Sequence, residues 1–343
     1  MFQKLIIKNP VVDLVDLRSF KILHRWNIDL NNLRELTPVR KNFWIRHPLL
    51  LDDGSLIFKH HGPLVKINKK SDIEWIKDDV VYHHSLNFNN SGDIWVCVHY
   101  SPPRVSKIFL EDEDATFIDD GIRKISTSGE VLFDKSVTEI FLENGMGSYI
   151  FGRENIPKDP LHLNDIEEVR YNGKYWEKGD LFLSLRNLSM IVQYRPSTNE
   201  VIWKGTGPFY FQHDINVLDN NRISFFNNDE RNFSSGLKIK NEYNKVTIYD
   251  FKANEYSNYL EDAFRENKIS TITNGLSTIL DNGDVFVEET KRGKLHYISS
   301  EGKLIWSNVN LDSAGFVHIL SWSRILYEEN DIKKVQKFLT KIK

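Results

Sequence analysis

Three histidines and one arginine are the residues of this chain whose types and spacing point to chemistry. His84 opens the run His84-Ser85-Leu86-Asn87-Phe88, followed by the turn Ser91-Gly92-Asp93 and the strand pattern Ile94-Trp95-Val96. His213 opens His213-Asp214-Ile215-Asn216-Val217 in the same frame, with its turn before Ile223-Ser224-Phe225. His162-Leu163-Asn164-Asp165-Ile166 begins a third copy, with a longer turn before Gly179-Asp180-Leu181-Phe182-Leu183. An imidazole is both a nucleophile and a proton carrier near neutral pH. Arg186 closes the strand that follows His162, and its planar donor fork matches a carboxylate, phosphate or sulfate. Three imidazoles and a guanidinium aimed at one axis read as an anion site. They suit a metal less, because no carboxylate stands at ligand spacing, although three histidines can bind zinc. Lys59, in Phe58-Lys59-His60-His61-Gly62, takes the Arg186 place of an earlier copy and reads as a second cation or as a solvated lysine.

The same residues also admit a plainer reading, in which the histidines are hydrogen-bonded groups of a repeated fold. His83 is expected on the strand face opposite His84, and His60-His61 read as turn structure. The acidic run Glu111-Asp112-Glu113-Asp114 reads as a solvated loop, since it lacks the glycine and terminal glutamate of a calcium loop. The chain has no phosphate-loop, dinucleotide-fingerprint, Gly-x-Ser-x-Gly or His-Glu-x-x-His motif.

The elements that position these residues are hairpins. A turn followed by an alternating strand recurs at Asp53-Gly54, Ser91-Gly92, Lys178-Gly179, Asn220-Asn221 and Asn282-Gly283. Downstream of each comes a second hairpin closed by an aromatic residue: Trp75, Phe133, Trp203, Tyr256 and Trp306. Two hairpins make four strands, and a period of about 40–60 residues is the mark of a β-propeller. Residues just before the first strand of a blade then sit at the mouth of the central channel. Five copies are legible, from about residue 45 to 327. The N-terminal stretch and Phe316–Trp322 are expected to supply a sixth, joining the termini and removing open edges. The prediction is a single all-β domain over residues 1–343, a six-bladed β-propeller of four-stranded antiparallel blades closed by N- and C-terminal strands. Residues 101–120, 157–176 and 228–244 read as loops on its faces. Apolar spacing at 332, 335 and 338/339 predicts a short C-terminal helix over 328–343.

Composition bounds the function. The 343 residues, 40% hydrophobic and 12% aromatic, support a large core. A net charge of −3 argues against a general nucleic-acid binder. The single cysteine, Cys97, excludes an internal disulfide and a cysteine-cluster metal site, and its apolar run Ile94–Val98 predicts a buried thiol. The sequence shows no transmembrane stretch and no signal-peptide pattern at Met1–Lys8. It leaves the oligomeric state open.

The segments His162-Leu163-Asn164-Asp165-Ile166, Ser184-Leu185-Arg186-Asn187, Val201-Ile202-Trp203-Lys204, Gln212-His213-Asp214-Ile215 and Ile223-Ser224-Phe225-Phe226-Asn227-Asn228 resemble the arylsulfate sulfotransferase family, which does not use an adenylyl-sulfate donor. His83-His84-Ser85 and Gly92-Asp93-Ile94-Trp95 fit as well, so the resemblance spans roughly 45 to 327. It implies a six-bladed propeller with its site at the channel. It implies a ping-pong transfer of a sulfuryl group from a small aryl sulfate to a phenol, without a cofactor. His213 would accept the group as a sulfohistidine. His162, Arg186 and His84 would hold the sulfate oxygens and handle the phenolic proton. Asn164 would support them, with Lys59 and Asp214 as further substrate-side candidates. The role of Asp214, holding backbone or orienting the ring, stays open. The resemblance favours a periplasmic or other extracytoplasmic compartment. From the residues alone, a non-catalytic propeller binding an anionic ligand, and a hydrolase or lyase on the same scaffold, remain the alternatives.

Overall fold

Alternating apolar residues between tight turns form an antiparallel, all-β chain with few helices. The computed structural model describes residues 10–36, 45–59, 62–105, 116–232, 236–239 and 241–340. The pair His60-His61 and the run Glu111–Asp114 lie outside the described residues. The chain divides into two compact units, one of Met1–His83 with Leu326–Lys343 and one of His84–Ile325.

In the first unit, β1 (Val11–Asp16) pairs with β2 (Lys21–Asn27). β3 (Arg46–Leu50), β4 (Leu56–Lys59), β5 (Gly62–Ile67) and the first part of β6 (Ile73–Phe88) form a meander. Trp26, Leu33, Phe58, Val65 and Ile67 make its core. The predicted C-terminal helix is present as Glu329–Thr340 and adds Phe338 to that core. The helix needs Gly54: a Cβ there would lie 2.1 Å from the Phe338 ring, and its φ of +84° already favours glycine. Lys59 ends β4 opposite Arg46 and is buried, not a solvated lysine.

In the second unit, β6 from His84 onward leads into β7 (Ile94–Tyr100), β8 (Asp119–Ile125) and β9 (Val131–Ser136). Three four-stranded sheets follow. The first holds β10 (Leu163–Glu168), β11 (Leu181–Leu185), β12 (Met190–Arg195) and β13 (Glu200–Thr206). The next joins β14 (His213–Val217) and β15 (Arg222–Asn227) to β18 (Lys245–Asp250) and β19 (Glu255–Tyr259). A side hairpin of β16 (Arg231–Asn232) and β17 (Lys238–Ile239) interrupts it, inside the segment read as a face loop. The last holds β20 (Leu276–Ile279), β21 (Val285–Glu289), β22 (Lys294–Ile298) and β23 (Leu304–Val309). Asn199 and Asn254 turn two of the outer hairpins with φ of 61° and 57°, as the short polar side chain of asparagine allows.

Sheets stack by burying both faces. In β11, Leu181, Leu183 and Leu185 join one core cluster while Phe182 joins the next, with Phe209, Ile223 and Phe225. Phe226, Val246, Val285 and Val287 fill the following interface. Burial at about 25 cal/mol per Å² of apolar surface makes these layers the main source of stability. Cys97 lies in the first cluster as a buried thiol, as expected.

Side-chain straps then fix the register between inner strands. Ser85 Oγ accepts from Ile166 N at 3.2 Å, Asp165 Oδ2 from Ile215 N at 2.7 Å, and Asp214 Oδ2 from Ser277 N at 2.7 Å. These three positions are therefore equivalent. One residue earlier stand His84, Asn164 and His213. The frame of His84 and His213 holds, whereas His162 sits two residues upstream of it, level with Phe211. Both of those residues take positive φ, 55° and 58°. A left-handed residue ahead of β10 changes the strand alternation that the frame of His162 assumed.

The segment Phe316–Trp322, predicted as a closing strand, makes only an isolated bridge, Leu311–Val317. Its N–H groups find other acceptors: Leu320 N donates to Thr290 O, and Trp322 N and Ser323 N donate to the Glu288 carboxylate at 3.1 and 2.6 Å. Arg324 next donates to Leu86 O and to Asn87 Oδ1. No helix of the described residues is long and apolar enough to cross a membrane.

One level below the straps, Asn87 and Asn216 donate to the carbonyls of Ile166 and Ser277 at 2.9 and 3.4 Å. The equivalent residue between them is Glu167. Burial, opposed by Arg170 and reinforced by Asp165, pushes its carboxyl from 4.5 to about 8. The folded state thus keeps a proton that the unfolded chain releases above 4.5, so this group costs stability as pH rises toward 8. Glu167→Gln is expected to stabilise the protein by about 1–3 kcal/mol near pH 8 and hardly at all near pH 4. Urea titrations of both proteins at the two pH values check it; an equal gain at both would contradict the assignment.

Candidate active site

His213 begins β14 fully buried, and its ring is held by one nitrogen. Nδ1 lies 3.0 Å from Phe211 O and 2.6 Å from Asn228 Oδ1. Asn228 spends both of its amide hydrogens on carbonyls, Thr271 O at 3.0 Å and Asn274 O at 2.7 Å, so its oxygen must accept. Both partners of Nδ1 are therefore acceptors, and Nδ1 carries the proton. Nε2 is left with its lone pair, buried and without a hydrogen bond among the described residues. Burial first, then the Arg186 guanidinium, lowers the ring from 6.5 to about 3, so it is neutral at physiological pH. The unfolded ring takes a proton below 6.5, and this group accordingly costs the protein stability as pH falls from there toward 3.

Arg186 starts the short 3-10 turn Arg186–Leu188 after β11. Its N–H donates to His162 O at 3.1 Å, and its guanidinium carbon stands 5.0 Å from the centre of the Phe211 ring. One guanidinium hydrogen goes to Asn187 Oδ1 at 3.0 Å. His84, at a φ of 51°, turns its Nε2 to within 3.0 Å of His162 Nε2. The His84 and His213 ring centres are 6.4 Å apart. The structure thus brings His84, His162, His213 and Arg186 together, although His162 enters from a different step of the frame.

The supporting candidates divide. Asn164 takes the frame position itself; its Nδ2 donates to Gln212 O at 2.7 Å, and its Oδ1 is buried without a partner among the described residues. Asp214 accepts from Ser277 N and from Asn216 Nδ2, which gives it the backbone-holding role. Lys59 belongs to the first unit. Two residues escaped the sequence reading, Asn228 and Asp159. Asn228 follows β15 as Arg186 follows β11, so strand-end position was the signal for it. Asp159 lies inside a segment read as a face loop.

Losing the Asn228 side chain removes a donor from the buried Thr271 carbonyl and one from the part-buried Asn274 carbonyl, and leaves Nδ1 with one acceptor. Asn228→Ala is expected to cost about 1–3 kcal/mol of stability and to lower kcat more than it raises KM, because it loosens a ring without removing a substrate contact. Thermal unfolding together with steady-state kinetics checks both parts; an unchanged kcat would contradict the positioning role.

A buried, neutral imidazole whose Nε2 has no hydrogen bond among the described residues stands next to a guanidinium and a pair of imidazoles, and this cluster is the candidate site of the all-β chain. The chain belongs to the arylsulfotransferase (ASST) family, which matches residues 47–311 and so includes all four of these residues. No curated protein matches it. A protein of unknown function from Bacteroides caccae is similar in fold, at 13% identity and a TM-score of 0.55, covering 87% of this chain and 89% of that one. The WD40 domain of Neurospora crassa Pan2 aligns over 85% of this chain and 70% of that one, at 11% identity and a TM-score of 0.45. Virginiamycin B lyase from Staphylococcus aureus aligns over 76% and 68%, at 14% identity and a TM-score of 0.41.

Proposed function

We propose that this chain transfers a sulfuryl group from an aryl sulfate to a phenol through a sulfohistidine on His213. The observation that carries the reading is the His213 ring, whose Nδ1 is protonated and pinned while Nε2 is neutral, buried and free. In the first half-reaction, the Nε2 lone pair attacks sulfur, the N–S bond forms and the S–O bond to the aryl group breaks. The aryl oxygen leaves with the electron pair and takes a proton from the His84–His162 pair. In the second, an acceptor phenol returns a proton to that pair as its oxygen attacks sulfur, and the N–S electron pair goes back to Nε2. Splitting one transfer into two displacements is the gain of covalent catalysis. Negative charge gathers on the sulfuryl oxygens in both steps, and Arg186 is the cation beside them. Phe211, stacked near Arg186, offers an aromatic wall for the ring of donor or acceptor. In this reading the meander sheets of the second unit are four blades of a six-bladed propeller, and the site opens at its channel.

The test is kinetic. Phenol release from an aryl sulfate should accelerate when a second phenol is added, and double-reciprocal plots should be parallel. Release that ignores the acceptor would make the protein a sulfatase. No release, with sulfate esters binding all the same, would make it an anion-binding module.

A further inference from the structure

Asp159 stands three residues before His162, and its Oδ2 lies 2.5 Å from His162 Nδ1. A carboxylate in that place accepts the Nδ1 proton and leaves Nε2 as the working nitrogen of the ring. At its other end, His162 Nε2 lies 3.0 Å from His84 Nε2. Two imidazole nitrogens at that separation share one proton. A second proton does not fit, because the N–H groups collide, and with none the two facing lone pairs are ready to take a proton up. The loop that carries Asp159 is clamped by the turn that presents Arg186. Asn187 Nδ2 donates to Asp159 O at 2.7 Å, Asn187 N to Leu161 O at 3.0 Å, and Arg186 N to His162 O at 3.1 Å. Pro157 and Pro160 flank Asp159 and restrict the backbone on both sides.

We propose that Asp159 is a positioning residue that makes the His84–His162 pair a one-proton store serving both half-reactions, an inference that rests on the sulfuryl transfer proposed above. The store alternates between one positive charge and none. When charged, it gives its proton to the departing aryl oxide, which leaves as a phenol. When neutral, it takes the proton of the incoming phenol, and no proton is exchanged with solvent in a full cycle. Asp159 touches no reacting atom. It holds the His162 tautomer and balances the charged state. The Arg186 turn and the His213 ring stand beside the pair, and His213 stays neutral. The arrangement follows the carboxylate–imidazole logic of the serine hydrolase triad, extended by one ring.

Two readouts test it in wild type, Asp159→Asn and Asp159→Glu. The first is nitrogen-15 NMR of labelled histidine, which reports the protonated ring nitrogen without turnover. His162 Nδ1 should be protonated in wild type and in Asp159→Glu, and lose that fixed state in Asp159→Asn. The second is donor dependence. Phenyl sulfate releases a basic phenolate that needs the proton, and 4-nitrophenyl sulfate releases one that hardly does. Asp159→Asn should lower kcat about 100-fold with phenyl sulfate and less than about 10-fold with 4-nitrophenyl sulfate, with partial rescue by Asp159→Glu. An equal loss with both donors, or an unchanged His162 signal in Asp159→Asn, overturns the store. If wild type shows the fixed tautomer but transfers from neither donor, the sulfuryl transfer falls and takes the store's use in catalysis with it, while the tautomer assignment stands.

Discussion

Replacing His213 with alanine is expected to lower sulfuryl transfer by about 10⁴-fold or more, the scale seen when a covalent nucleophile is removed. Among the described residues of the cluster, no other side chain offers the same combination. His84 and His162 spend their Nε2 atoms on each other, and Arg186 has no lone pair to give. The fold should survive, because the hydrophobic layers that hold the sheets do not include His213. The variant does leave Asn228 Oδ1 facing a small cavity, so a modest loss in melting temperature is part of the expectation. Circular dichroism and thermal unfolding separate that loss from the catalytic one. A rate within tenfold of wild type would remove His213 as nucleophile.

Arg186→Ala carries the second large effect, about 10²–10³-fold in kcat/KM. Its charge meets the sulfate in the ground state and meets more negative charge in the transition state, so KM should rise as kcat falls. Arg186 also lowers the His213 ring, after burial itself. Without it, the imidazole becomes more basic, and the neutral nucleophile should be lost at a higher pH than in wild type. The sign follows from a cation opposing a second positive charge. Lysine at this position restores charge without the planar fork, and recovers part of the affinity and less of the rate. Steady-state kinetics of the three proteins against pH measure both parts. A loss confined to KM would mean that Arg186 binds the donor and does nothing further.

Much of this site was legible in the residues. The shared frame of His84 and His213 follows from turn and strand spacing, and the straps from Ser85, Asp165 and Asp214 give it a physical origin. His162 was found for a reason that the fold does not honour. Its place in the frame belongs to Asn164, and it reaches His84 from a left-handed residue two positions upstream. Periodicity cannot register a single left-handed residue ahead of a strand, because each such residue changes the alternation by one. Asp159 escaped because loop residues carry no periodic signal, and its contact with His162 depends on clamps from Asn187. Phe316–Trp322 misled in the opposite sense. Its apolar spacing suits a strand, yet Phe316 and Val317 are exposed, and the N–H groups of Trp322 and Ser323 are taken by the Glu288 carboxylate. Asp214 looked like a substrate ligand next to His213, where one carboxylate oxygen is instead committed to the next strand.

The central claim is a covalent bond between sulfur and His213 Nε2, and one measurement reaches it directly. Wild-type protein is incubated with an aryl sulfate and no acceptor, quenched at alkaline pH and analysed by intact mass, then digested and mapped. One added sulfuryl group on His213, lost when a phenol is supplied before the quench, is the predicted result. A label on another residue, or no label while the donor is still consumed, would contradict the account.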